Sequence, residues 1–430
     1  MATQTAELQR GVGTTDVPYE LVTTTRMPLK LSIGWVALLG ALPLGMLAPA
    51  VLMLASRTTG SYAEAGRFAA LLVVSVAAGA VAQSRLMARL GPARVVLPAT
   101  LVHVTGLILV VGGASFGLTA AMGLGLIYAG ACLPQLLPAA RGAWARLAAD
   151  TPARQAGRSP VIAPTWFGAL SGVVVGLAVA GSSAGPASAV LIASGLTVLG
   201  AIWMVAIAHR LAWGPVAETA ARPKQGRRAR LARAGLIVLG LQAVVLGGAV
   251  GVIGLGTLAT NGPEAVSALV GGVLLGGLLR RRRPKEQYTQ QNRVREQRAE
   301  RRPERNPGRP ARRLMFLLAA FGYTVALLTV TPQPYPAYGV LALAGLLLAG
   351  CLRASAVLIG RLAPGQRPDD GYPLAVTAGV AGTAAGMALG GAVIEQTTFV
   401  LVVLVAAGAA EVAAIVVGVG RRHLDSHLRG

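Results

Sequence analysis

The chain has 430 residues, of which 54% are apolar and 13% charged, and a net charge of +23. Soluble domains carry about 25% charged residues, and here the charges are clumped into short arginine-rich stretches between long uncharged ones, which excludes a water-soluble globule. The basic excess, 36 arginines against 3 lysines, points to membrane topology and not to nucleic acid, because basic residues collect on the cytoplasmic ends of membrane helices.

A helix needs about 20 mostly apolar residues to cross about 30 Å of hydrocarbon. Twelve stretches meet or approach this, near 31–55, 66–84, 93–112, 117–139, 160–181, 187–208, 235–257, 264–279, 314–332, 337–359, 372–393 and 397–419. The eighth is the shortest and is rich in glycine (Gly271, Gly272, Gly276, Gly277). Barrel strands would alternate with period two in segments of about 10 residues, and no such alternation is present. The expected fold is all-α, an integral membrane protein of twelve transmembrane helices. No cleavable signal peptide is apparent, because the first 30 residues are mostly polar and the next apolar stretch is longer than a signal core. Cys132 and Cys351 both lie inside apolar stretches, so no disulfide framework is expected.

The basic residues fix an orientation. With a cytoplasmic amino terminus, the inner side comprises both tails, the loops after even-numbered spans and the adjoining span ends. That side then holds all of the 39 basic residues except Arg57 and Arg67. The outer turns at 112–117, 181–188 and 331–339 carry no charge. A miscounted span would put one basic loop on the wrong side. The expected location is therefore the cell membrane, multi-pass, with both termini cytoplasmic.

The two halves repeat each other. Thr59-Gly60-Ser61 resembles Asn261-Gly262-Pro263 at an offset of 202, and Gly-Ala-Cys-Leu at 130–133 resembles Ala-Gly-Cys-Leu at 349–352 at an offset of 219. Gly168, Gly172 and Gly176 of the fifth span correspond to Gly382, Gly386 and Gly390 of the eleventh at an offset of 214. Both halves start on the same side and have six spans, so an axis along the membrane normal relates them. The expected organisation is an amino-terminal tail (1–30), a six-helix bundle (31–212), a cytoplasmic linker (213–234), a second six-helix bundle (235–420) carrying a basic cytoplasmic loop (280–313), and a tail (421–430).

The loop after the second span reads Ser84-Arg85-Leu86-Met87-Ala88-Arg89-Leu90-Gly91-Pro92-Ala93-Arg94. With the repeat, it makes the chain resemble the major facilitator superfamily over about residues 30–420. The family pattern at this loop is G-x-x-x-D-R-x-G-R-R. Arg89 and Gly91 fit, and Arg94 lies one place beyond the last arginine of the pattern. Ser84 replaces the first glycine, and Ala88 replaces the aspartate that helps to latch the two bundles in one state. The fifth span resembles the exporters' G-x-x-x-G-P signature at Gly168 and Gly172, with Val173 in place of proline. Leu42-Pro43-Leu44-Gly45-Met46 and Thr59-Gly60-Ser61-Tyr62 resemble the opening of actinobacterial members of the family. The resemblance implies two pseudo-symmetric bundles around a central cavity lined by the fourth, seventh and tenth helices, among others.

Several residues are then candidates for function. Spacing of four puts each glycine trio on one helix face, either for static packing or as a smooth surface along which the bundles rock. Buried polar groups in a membrane usually face a cavity or a partner, which singles out Tyr128, Gln135, Gln242 and Arg353. Arg353 either snorkels to the interface or meets an anionic or carbonyl-bearing solute. Glu411, the carboxylate in the middle of a span, is a structural hydrogen-bonder or a proton carrier, and His103 is a satisfied buried histidine or a functional one. Glu64, Glu264 and Glu395 lie at outer ends, where hydration is easy. The stretch 280–313 holds 14 basic residues and four glutamates. It acts as a solvated loop that enforces topology, or it attracts anionic lipid headgroups.

No P-loop, metal-ligand cluster or Ser/His/Asp arrangement is present in the sequence. His423 and His427 sit four apart without a third ligand and read as solvated tail residues. The expectation is a non-enzymatic, monomeric secondary transporter, of antiporter type and with neither cofactor nor metal. It would export a small, largely apolar organic solute by alternating access. A transport-inactive scaffold or sensor that kept the fold is the alternative. A channel is disfavoured by the lack of a charged ring or filter-like loop.

Overall fold

The computed structural model describes residues 19–147, 161–211, 213, 227–279, 309–331, 334–362 and 371–425. Among these residues there is no strand. The helices are α1 (Tyr19–Thr59), α2 (Tyr62–Leu90), α3 (Pro92–Ser115), α4 (Thr119–Ala131), α5 (Leu136–Leu147), α6 (Ile162–Gly181), α7 (Gly185–Arg210), α8 (Arg227–Leu279), α9 (Arg309–Ala326), α10 (Pro334–Leu362), α11 (Gly371–Gln396) and α12 (Phe399–Asp425). Within the described residues, 11 stretches are long and apolar enough to cross a membrane. One of these, Ala234–Leu279, has 46 residues, about twice the length a single crossing needs. It bends at Gly262, where φ is 79°, so α8 supplies two arms and the crossings number twelve. Gly60, at the matching turn between α1 and α2, has φ 70°. This left-handed backbone is strained for any residue with a β-carbon, which is why both turns carry glycine at the same place in the repeat.

Four helices reach further than the sequence suggests. α1 begins inside the expected 1–30 tail, α8 inside the 213–234 linker and α9 inside the 280–313 loop, while α12 runs on into the 421–430 tail. Residues 1–18, most of the linker, loop residues 280–308 and tail residues 426–430, including His427, lie outside the described residues.

Each half is assembled in the same way. α6 lies against α1 at Gly168, Gly172 and Gly176, where an added β-carbon would press on the backbone of Leu38, Leu42 and Met46. α11 lies against the first arm of α8 at Gly382, Gly386 and Gly390, with the backbone of Val244, Gly248 and Val252 opposite. The three contacted residues stand 206 positions apart in every case. The contacts of α1 with α7, α2 with α4, α3 with α4 and α3 with α7 have counterparts in α8 with α12, α8 with α10, α9 with α10 and α9 with α12. Lipid tails are as apolar as leucine, so close approach of small residues, not exclusion of water, holds such helices together.

The buried side chains keep largely to their own half. One core spans Leu239 to Leu424. The first half has two, one around Met46, Leu107 and Leu126 and one around Ile33, Val96 and Met204. A smaller cluster joins the halves, with Leu52, Ala55, Ala65, Ala69 and Met122 on one side and Leu255 on the other. The halves meet chiefly along α2 and α11 and, less extensively, along α6 and α8. Gly66 abuts the Met387 carbonyl, Gly391 abuts the Tyr62 carbonyl, and Gly181 faces the Pro263 ring. All of these contacts lie toward the end of the molecule that carries the Gly60 and Gly262 turns.

Replacing Gly172 or Gly386 by alanine should cost about 1–3 kcal/mol through overpacking against backbone. The thermal midpoint of detergent-purified protein should fall accordingly. Gly408 has open space around it, so Gly408→Ala in α12 should leave the midpoint unchanged or slightly raised.

Candidate functional site

The fourth crossing is interrupted. The sequence suggests one span over 117–139, but the helix stops at Ala131 and restarts at Leu136, close to the middle of the 29-residue stretch Thr119–Leu147. Pro134 is the cause. It has no N–H to offer the carbonyl of Gly130, and that carbonyl instead accepts from Leu133 N at 3.2 Å. Cys132 N still bonds Tyr128 O at 3.0 Å, and α5 starts with Leu136 N on Pro134 O at 2.8 Å. The carbonyls of Ala129, Ala131 and Leu133 are thereby left without helical partners.

Side chains from the neighbouring helices fill these vacancies. Gln83 of α2 is buried, and its Nε2 donates to Ala131 O at 2.8 Å and to Leu133 O at 3.0 Å. His103 of α3 is fully buried, and its Nδ1 lies 2.6 Å from Ala129 O. A carbonyl can only accept, so Nδ1 carries the proton. Gln135 Nε2 adds a bond to Leu133 O at 3.2 Å. Close packing brings the donors into reach, with Gly79 of α2 against the Ala131 backbone and Gly106 of α3 against Ala129 N. At the break, two buried polar atoms have no hydrogen-bond partner among the described residues, Gln83 Oε1 and His103 Nε2.

The repeat sharpens the contrast between the halves. At the offset of 219 that aligns Cys132 with Cys351, Pro134 corresponds to Arg353. Arginine retains its N–H, and α10 runs unbroken from Pro334 to Leu362. The break belongs to the first half alone.

The candidate cavity residues fall into two groups. Tyr128 is 53% exposed at the end of α4, and Gln135 is half-buried at the break. Gln242 on the first arm of α8 is 1% exposed and accepts a hydrogen bond from Ser355 Oγ of α10 at 3.2 Å. Arg353, two residues before Ser355, is exposed and forms no ion pair with a described residue. No hydrogen bond joins the first pair to the second, and α4 and α5 make no extended contact with α8 or α10.

The motif loop is a tight turn. Gly91 has φ 83° and ends α2 through its N–H on Met87 O at 3.0 Å. Arg89 and Arg94 are exposed beside it and pair with no described carboxylate. The glycine rows of α6 and α11 are buried inside their own halves, against α1 and α8. The rows therefore pack helices within each half, and the contact between halves includes Gly66 and Gly391. Glu411 of α12 faces Gly322 of α9 within the second half, and its Oε1 has no partner among the described residues. No group of three metal-ligating side chains occurs among the described residues.

Sequence reasoning missed Gln83 and the break it serves. Pro134 in mid-span was the available signal. It also passed over Glu395, whose carboxylate reaches across to α2.

No family profile and no curated protein matches the chain. Solved structures do. A variant of the nucleoside transporter NupG matches with a TM-score of 0.63 at 13% identity, over 91% of this chain and 99% of that one. A bacterial homologue of the iron transporter ferroportin, in an inward-facing state, matches with a TM-score of 0.62 at 12% identity, over 92% and 99%. An auto-inhibited peptide transporter of the POT family gives a TM-score of 0.56 at 16% identity, over 92% and 96%. The chain thus shares the fold of these structures, an all-α membrane architecture of two pseudo-symmetric six-helix bundles. The proteins it resembles are transporters.

Removing the Gln83 amide by Gln83→Leu leaves the Ala131 carbonyl unpaired and the Leu133 carbonyl with Gln135 alone, at about 1–3 kcal/mol. The thermal midpoint should drop. Pro134→Ala restores an N–H for Gly130, so the double variant Gln83→Leu/Pro134→Ala should recover part of the loss in a double-mutant cycle. Strict additivity would show that Gln83 does not serve the break.

Proposed function

We propose that this chain is a secondary active transporter of the cell membrane that exports a small organic solute by alternating access. The observation that carries this reading is the pair of similarly assembled halves meeting along α2 and α11, with their closest backbone approaches, at Gly66 and Gly391, toward the Gly60 end. Two such bodies can tilt about a site between them and expose it to one side at a time. One polypeptide supplies both halves, so a monomer suffices.

The arginine distribution supports an orientation. The Gly60 end holds Arg57 and Arg67, while Arg85, Arg89, Arg94, Arg141, Arg146 and Arg210 gather at the opposite end of the first half. By the positive-inside rule, the Gly60 end faces outward and both termini are cytoplasmic. On this assignment the state described is shut on the outside. The broken fourth crossing supports a site near the midplane, because non-helical backbone persists at membrane depth only where protein buries it or a cavity runs beside it. Tyr128 and Gln135 on the first half and Gln242 and Arg353 on the second are the residues that would line the path. Arg353 would favour solutes with an anionic or carbonyl group. Glu411 would carry a proton in exchange, and the basic 280–313 loop would rest on anionic headgroups.

Ala88, together with Arg89 and Arg94, which meet no described carboxylate, favours a second reading, a scaffold or sensor that kept the fold and lost transport. Reconstitution separates the two. Purified protein in liposomes should move a lipophilic dye or a carbonyl-bearing drug down an imposed pH gradient and stop when the gradient is dissipated. Arg353→Gln should slow the flux of anionic solutes at least several-fold, and deletion of residues 284–309 should leave flux intact. Protein that reconstitutes well and moves nothing in either direction supports the scaffold. Reporter tags after successive spans should alternate sides, and two neighbours on one side would refute the orientation.

A further inference from the structure

Among the described residues, the contact between the halves contains one hydrogen-bonded element, and it joins residues 334 positions apart. Glu395 stands in the last turn of α11, in the second half. Its Oε2 accepts a hydrogen bond from Ser61 Oγ at 2.9 Å and another from the backbone N–H of Ala63 at 2.9 Å. Ser61 is the N-cap of α2, and its Oγ also accepts from Glu64 N at 3.1 Å. The carboxylate of one half therefore completes the helix cap of the other.

Three effects act together at this point. The first N–H groups of a helix have no partner within it. The helix macrodipole places partial positive charge there, which favours a carboxylate. Hydrogen bonds to an ionised oxygen are also stronger than those between neutral groups. The neighbouring contacts are backbone against backbone, with Gly391 on Tyr62 O and Gly66 on Met387 O. Any separation of α2 from α11 at this end pulls Glu395 away from both donors, whereas tilting at the opposite end leaves them alone. The interaction is thus present in one state and absent in the other, which is the condition for a group to bias a conformational equilibrium.

We propose that Glu395 is a positioning residue for the transport cycle, a latch that caps α2 of the first half and holds the Gly60 end shut. The inference deepens the transporter reading and rests on it for the word cycle, though the latch can be tested without any solute. It sits at the end of the molecule opposite to Arg89, Gly91 and Arg94, where the family's aspartate is replaced by Ala88. In this chain the polar restraint on the bundles lies at the Gly60 end.

The test is a distance measurement across that end. Phe116, in the turn between α3 and α4, and Tyr335, at the start of α10, are highly exposed on opposite halves. Spin labels on Phe116→Cys and Tyr335→Cys, in a background with Cys132 and Cys351 replaced by alanine, report the separation of the halves in purified full-length protein. Glu395→Ala should raise the ratio of long to short distances about two- to fivefold, as expected for losing two solvent-exposed bonds to an ionised oxygen. Ser61→Ala, which removes one donor, should raise it by less, and it keeps the test alive if Glu395→Ala fails to fold. Wild-type distance distributions in a folded Glu395→Ala variant, or in Ser61→Ala where that is the variant that folds, overturn the latch whether or not the chain transports. If the shift appears but no solute moves in liposomes, the latch stands and the carrier reading fails.

Discussion

Contact between bare backbones at glycine is what the rest of this structure depends on. Gly172 rests on the Leu42 carbonyl and Gly386 on that of Gly248. Water cannot push two helices together inside a membrane, because lipid solvates an apolar side chain as well as a neighbouring helix does. The attraction must come from close van der Waals approach, and a single β-carbon on the row would forbid it. This approach ties α6 to α1 and α11 to α8 within each half. The contact between the halves along α2 and α11 uses the same device, with Gly66 against the Met387 carbonyl and Gly391 against that of Tyr62.

The broken fourth crossing follows from the same lack of water. A proline in mid-span costs a hydrogen bond that no solvent can replace. This chain meets the cost with Gln83 and His103, each on a neighbouring helix brought near by Gly79 and Gly106. The second half, with Arg353 at the matching place, needs no such repair. The two halves share a fold and an assembly but not this feature, so the chain carries its irregular backbone on one side only. That asymmetry gives the first half a polar spot at mid-membrane depth and gives the second half an exposed guanidinium at the equivalent position.

The ends of the molecule differ in a complementary way. At the Gly91 end, a glycine-capped turn carries exposed arginines with no described carboxylate to meet them. At the Gly60 end, a carboxylate from one half is spent on the helix cap of the other. Among the described residues, the carboxylate that crosses the interface is placed where a helix terminus welcomes it.

The sequence by itself determined the solvent, the number of crossings and the twofold repeat. These are properties of composition and of short-range period: about 20 apolar residues make a span, and glycine at 60 and 262 is required by a local turn with positive φ. The glycine rows at 168–176 and 382–390 were visible too, but not what they face. Tertiary structure alone decided that they point into their own halves, that Gln83 and His103 serve carbonyls 48, 50 and 26 residues away, and that Glu395, an apparently hydrated residue at a helix end, closes on Ser61. The physical reason is common to all three. A polar or small side chain is defined by its partner, and the partner is chosen by where another helix lands, which no local pattern encodes.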